Sequence, residues 1–87
     1  MAAVKEYQFA ELAPRIEEAL REAFPGDTVE LTESYGGRVH VLVVSRKLNS
    51  KSELEKSQYV RDALSTKLGE DAEAVTMVVG YGTDELK

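Results

Sequence analysis

Five bases fall within residues 46–61 of this 87-residue chain: Arg46, Lys47, Lys51, Lys56 and Arg61. Such a cluster does electrostatic work rather than bond-making, drawing in the carboxylates of an acidic protein or the phosphates of a nucleic acid. Tyr59 inside the cluster and Tyr81 beyond it are the contact aromatics, either seated at an interface or packed in the core with a wet hydroxyl. Material for covalent chemistry is thin. The adjacent acids Glu17-Glu18 and Glu70-Asp71 read as solvent-facing charge, since only burial or close pairing would shift them into acid–base work. Ser45, Ser50, Ser52 and Ser57 lack a nucleophile-elbow setting and suit capping and turn-making. Gly36-Gly37 and Gly80-Tyr81-Gly82 precede no long helix carrying a P-loop lysine. The expectation is a protein that is not an enzyme and takes no small-molecule substrate.

Metal and redox chemistry are limited by donors. There is no cysteine, which removes disulfides, thiolate zinc and thiolate-held iron–sulfur sites, and there is one histidine, His40. A lone strand imidazole is a weak metal candidate, so no metal or cofactor is assigned. The net charge is −5, yet between Arg38 and Lys67 seven bases stand against three acids. That asymmetry fits either a docking face or a plain solvated helix face. No stretch approaches the ~20 apolar residues of a membrane span, and the start lacks the pattern of a secretory signal. A soluble cytoplasmic protein without membrane contact is expected.

The elements that must position these residues follow from periodicity. From Phe9, the residues Leu12, Ile16, Leu20 and Phe24 define one helical stripe, with Pro14 expected in the first turn and Pro25-Gly26-Asp27 as the stop. Residues 1–8 are expected to be a flexible tail before a single domain over 9–87. Thr28 to Ser34 alternates as a strand, with Val29 and Leu31 on one side, and Gly36-Gly37 supplies the positive φ angles of a hairpin turn. Val39 to Val44 returns as a partner strand, apolar on both faces and therefore central. Ser50 with Glu53 matches a capping box for a second helix ending near Leu68-Gly69, with Leu54, Val60, Ala63, Leu64 and Leu68 as its buried stripe and Gly69 as a left-handed cap. Ala74 to Val79 is a third strand, broken by Gly80-Tyr81-Gly82, and Thr83 to Leu86 starts a last helical turn. The order helix–strand–strand–helix–strand predicts an α+β domain with a three-stranded mixed sheet packed against helices, the arrangement of type II KH-like domains.

Three segments carry a resemblance. Val41-Leu42-Val43-Val44-Ser45-Arg46-Lys47-Leu48 is similar to the signature strand of the BolA-like family, Lys56-Ser57-Gln58-Tyr59-Val60 with Leu64 resembles its second signature, and Val78 to Leu86 resembles its closing strand and tail. The resemblance covers roughly residues 16–86. It implies a non-enzymatic adaptor or regulator that pairs with a monothiol glutaredoxin, shares an iron–sulfur cluster through histidine, and in some members binds DNA in stress-related transcription. The chain departs from the family at the histidine positions, with Ala74 near the last strand, Ser57 in the helix and Gly36-Gly37-Arg38 in the hairpin. Protein docking is therefore expected without shared ligation. The alternative is a DNA-binding transcriptional or stress regulator that uses the basic helix over 46–61, although the chain lacks the glycine-x-x-glycine clamp of nucleic-acid-binding KH modules.

Overall fold

The computed structural model describes residues 8–85. The expected tail therefore lies, apart from Gln8, outside the described residues, as do Leu86 and Lys87. Five elements make up the domain: α1 (Phe9–Ala23), β1 (Thr28–Glu33), β2 (Val39–Val44), α2 (Glu53–Leu68) and β3 (Val75–Tyr81). The sheet order is β1-β2-β3, with β1 antiparallel to β2 and β2 parallel to β3. The α+β class, the mixed sheet and the central position of β2 are as the sequence predicts.

The pleat decides what is covered. Along β2, Val39, Val41 and Val43 are fully enclosed while His40, Leu42 and Val44 are half-exposed. In register with the buried set stand Val29 and Leu31 on β1 and Val75, Val78 and Gly80 on β3. Both helices pack on this side. From α1 come Leu12, Ile16, Leu20 and the terminating Phe24, and from α2 come Val60 and Leu64. One apolar layer between helices and sheet is the core.

Several local expectations are corrected. Pro14 is the sixth residue of α1, not part of its first turn, because Gln8 already accepts from the amides of Glu11 and Leu12 and starts the helix earlier. The bond that proline forfeits would run to Ala10, and both residues lie on the exposed side. The β1–β2 connection spans residues 34–38, longer than a tight turn, with Gly36 and Gly37 at φ 64° and 75° as expected. The capping box forms two residues later than predicted: Ser52 Oγ accepts from the Glu55 amide at 3.2 Å and the Ser52 amide donates to Glu55 Oε1 at 2.9 Å. Ser50 instead takes a left-handed φ of 62° outside the helix.

Leu54 is 67 % exposed, and its predicted place in the buried stripe is taken by Lys56. Helical geometry gives the reason. Six residues at about 100° each place Leu54 some 240° around the axis from Val60, whereas Lys56, Val60 and Leu64 recur every four residues on one side. Gly69 ends α2 with φ 57° but ψ −128°, a glycine conformation other than the left-handed cap. Gly80-Tyr81 does not break β3, which runs through Tyr81. Gly80 is there for close approach: a Cβ at that position would stand 3.0 Å from Leu48 Cδ1 and 3.3 Å from Lys56 Cβ.

Candidate functional site

The parallel strands β2 and β3 finish side by side, joined by the Ser45 amide donating to the Tyr81 carbonyl at 3.0 Å. Here the chain turns twice. After β2, Ser45 Oγ accepts from the Lys47 amide at 3.1 Å and fixes a 3-10 turn over Arg46–Leu48, whose Leu48 is driven wholly into the core. After β3, a second 3-10 turn spans Thr83–Glu85.

The five predicted bases take different roles around this end. Arg46 is exposed, and its guanidinium has no hydrogen-bond or ion-pair partner among the described residues. Lys47 Nζ donates to the Ala23 carbonyl at 2.6 Å and stands 5.7 Å from the Phe24 ring, a cation closing the carboxyl end of α1. Lys51 Nζ lies 5.4 Å from the Tyr59 ring, which itself packs on Phe24 at 5.7 Å. Arg61 donates to the Val75 carbonyl at 3.1 Å, at the start of β3 and so at the opposite end of the sheet. Lys56 points inward. Its side chain is 4 % exposed, with Nζ bonded to Glu85 and, at 2.9 Å, to Glu53. Lys47 and Lys51 thus meet around the Phe24–Tyr59 pair, with Arg46 exposed on the same turn as Lys47, while Lys56 and Arg61 are drawn into the structure.

Lys56 belongs to a constellation that sequence reasoning missed. Glu85 Oε1 also accepts from the Gly82 amide at 3.0 Å, Asp84 Oδ2 accepts from the Ser50 amide at 3.2 Å, and Asn49 bonds Thr83 Oγ1 at 3.1 Å and accepts from the Asp84 amide at 3.3 Å. The closing turn is laced to the loop before α2 by polar bonds alone, since none of its residues is buried. The only sequence signal was the acidic pair Asp84-Glu85 following a strand that ends beside a basic loop.

Electrostatics fix the pH range of this lacing. Bonding to Lys56 first, and then to the Gly82 amide, holds the Glu85 carboxyl below the ordinary glutamate range; the hydrogen bond to Glu85, then that to Glu53, raises Lys56. Glu55 is also lowered, chiefly by the Ser52 backbone bond of the capping box. A lowered carboxylate contributes stability fully above its unfolded value of about 4.3 and loses it as pH falls through the lower folded value. The raised lysine contributes fully below about 10.4 and loses its share as pH rises through the higher folded value. The Thr83–Glu85 turn is therefore expected to stay closed between about pH 5 and 10 and to loosen below pH 4, which amide exchange of Glu85 followed against pH will check.

The second feature is the open face of the sheet. Opposite the helices, register sets Thr28, Val44 and Tyr81 in one row, Glu30, Leu42 and Val79 in the next, and Thr32, His40 and Met77 in the third. Met77 is 49 % and Tyr81 40 % exposed, and Leu42, Val44 and Val79 are half-buried only by their neighbours. His40 therefore stands on an apolar strand face beside Met77. Among the described residues no group of three or more His, Asp or Glu side chains is placed to hold a metal ion, and no helix is long and apolar enough to cross a membrane.

Taken together, fold and surface define a small α+β domain whose mixed sheet, among the described residues, is covered by helices on one side only, with bases in the turn and loop after β2. No protein-family model matches this sequence, and no curated protein matches it either.

Proposed function

We propose that this protein is a non-enzymatic, BolA-like interaction module that docks an acidic protein partner on the open sheet face and the basic turn and loop after β2. One observation carries the reading: Leu42, Val44, Met77, Val79 and Tyr81 form an apolar surface on the side of the sheet away from both described helices, and Arg46, two residues beyond Val44, is an exposed base without a partner among the described residues. An apolar centre supplies affinity, and a basic rim selects an acidic surface and speeds encounter. The three segments resembling the BolA-like family make a monothiol glutaredoxin the first partner to test. With His40 as the sole histidine and no cysteine, the chain brings too few donors for shared cluster ligation, so docking is independent of a cluster. DNA binding is the weaker reading, because Lys56 and Arg61 spend their charge on Glu85, Glu53 and the Val75 carbonyl instead of offering it to phosphates.

The test is an amide-resonance titration of labelled protein with a monothiol glutaredoxin, apo and cluster-loaded, at two salt concentrations. Shifts over residues 42–47 and 77–81 in both forms are expected, and Arg46→Glu is expected to weaken binding about tenfold, on the order of 1.4 kcal/mol. Absence of shifts at high protein concentration overturns the glutaredoxin assignment. Binding of duplex DNA with a steep salt slope, centred on Lys51 and Arg46, would replace docking with phosphate recognition.

A further inference from the structure

The bonds that hold the Thr83–Glu85 turn are those a foreign carboxylate would make. Lys56 supplies an ammonium with a side chain only 4 % exposed, the Gly82 amide donates to the same carboxylate oxygen, and the Ser50 amide holds the neighbouring carboxylate. The cradle itself is rigid. Lys56 lies against Gly80 beneath it, the fully buried Leu48 closes the same wall, and Gly82 has no room for a Cβ, which would fall 2.5 Å from Asn49 Oδ1. Its occupant is not built that way. Thr83, Asp84 and Glu85 are all exposed and contribute nothing to the core, and the bonds of Thr83 and Asp84 to the Asn49–Ser50 loop lie at the surface.

Lys56 holds two carboxylates, and with Glu53 keeping its place at 2.9 Å the ammonium stays paired while the position filled by Glu85 is the one open to exchange. Nothing requires that the carboxylate in that position come from this chain. Glu85 lies 29 positions from Lys56 in sequence, and any segment with adjacent acids can present the same two carboxylates to the same donors. The turn also leaves directly from Tyr81, on the open face, and its cradle is bounded by the loop that carries Arg46 and Lys51.

We infer that the cradle formed by Lys56 Nζ and the Ser50 and Gly82 amides is a binding site for an acidic peptide segment with two adjacent carboxylates, and that Asp84-Glu85 is its resident, displaceable occupant. This deepens the docking reading and rests on it for its purpose: the partner on the open face inserts an acidic segment, the closing turn swings out, and Lys56 exchanges one of its two carboxylates without being exposed. The resident turn thereby sets a threshold that a merely apolar partner cannot cross.

The cradle is tested without the partner. In the full chain, Asp84→Ala/Glu85→Ala removes the resident carboxylates, and N-acetyl-Asp-Glu-amide serves as the probe, with N-acetyl-Asn-Gln-amide as control. The variant is expected to bind the acidic probe at least tenfold more tightly than the unsubstituted protein, with shifts at the Ser50 and Gly82 amides. Adding Lys56→Met should abolish that gain. Equal affinity of the two proteins, equal response to the control, or shifts away from Ser50 and Gly82 overturns the inference. Should the double variant not fold, the unsubstituted protein decides: displaceability requires the Glu85 amide, which bonds the Gly82 carbonyl, to exchange at least a hundredfold faster than that of Val43, and equal protection refutes it. Loss of this site leaves glutaredoxin shifts over residues 42–47 untouched, so the two proposals fail separately.

Discussion

Replacing Phe24 with alanine is expected to destabilise the protein by about 3–5 kcal/mol, a large part of the whole for a domain of 87 residues. Phe24 is fully enclosed and is the largest of the wholly buried side chains. It ends the apolar stripe of α1 and lies under the carboxyl corner of the sheet, where its ring tilts 47° against Tyr59 and carries the ammonium of Lys47. The substitution therefore removes three things together: a buried ring, an aromatic pair, and the support of the cation that closes α1. The core residues Leu20 and Leu48 are already fully enclosed, and close packing leaves them little slack to fill the gap. Urea unfolding will check this through a lower midpoint at unchanged slope. A loss below 1 kcal/mol would show that the corner repacks freely. Phe9, at the other end of the same helix and only partly buried, should cost much less on truncation.

Burial of that kind was legible in the sequence wherever a period imposed it. The steps from Leu12 to Phe24 named the inner face of α1, and the doubly apolar run Val39–Val44 named the central strand, because each pattern is wrong for every other element. Where two effects compete, the pattern fails. On α2 hydrophobicity nominated Leu54, but position on the helix decided, and Lys56 went inside because Glu53 and Glu85 were there to meet it. Glu85 is 29 residues from Lys56, a separation over which no local rule operates. Gly80 and Gly82 read as strand breakers because glycine usually is one; their actual role, room for Leu48, Lys56 and Asn49, depends on what folds over them. The candidate site was legible as a place, the end of β2 beside the exit of β3, and Ser45 bonding to Tyr81 joins those ends. Its division of labour was not legible, since a count of charges cannot tell the unpartnered Arg46 from the buried Lys56.

The alternation of the sheet gives the sharpest separation of folding from docking. Val43→Asp sets a carboxylate among the enclosed residues of β2, in register with Val29 and Gly80, where the Lys56 that packs on Gly80 is already taken by Glu53 and Glu85. An unpaired buried charge costs several kcal/mol, enough to unfold a domain of ordinary stability. Val79→Asp sets the same carboxylate on the opposite face of the edge strand β3, laterally beside Leu42, with Glu30 one strand further on. There the acid stays hydrated, and the expected loss is the modest strand-propensity difference, about 1 kcal/mol or less. Docking should respond in the reverse sense. An acid at position 79 places an unpaired charge at the centre of the apolar patch and repels the carboxylates that Arg46 attracts, so partner affinity is expected to fall at least a hundredfold, about 2.8 kcal/mol. Thermal unfolding and calorimetric titration of the Val79→Asp protein measure both quantities on one sample. Near-native melting with lost binding places the partner on the open face. Near-native melting with affinity unchanged within threefold moves the partner off that face and leaves the basic turn and loop after β2 and the acidic-segment cradle as the remaining surface.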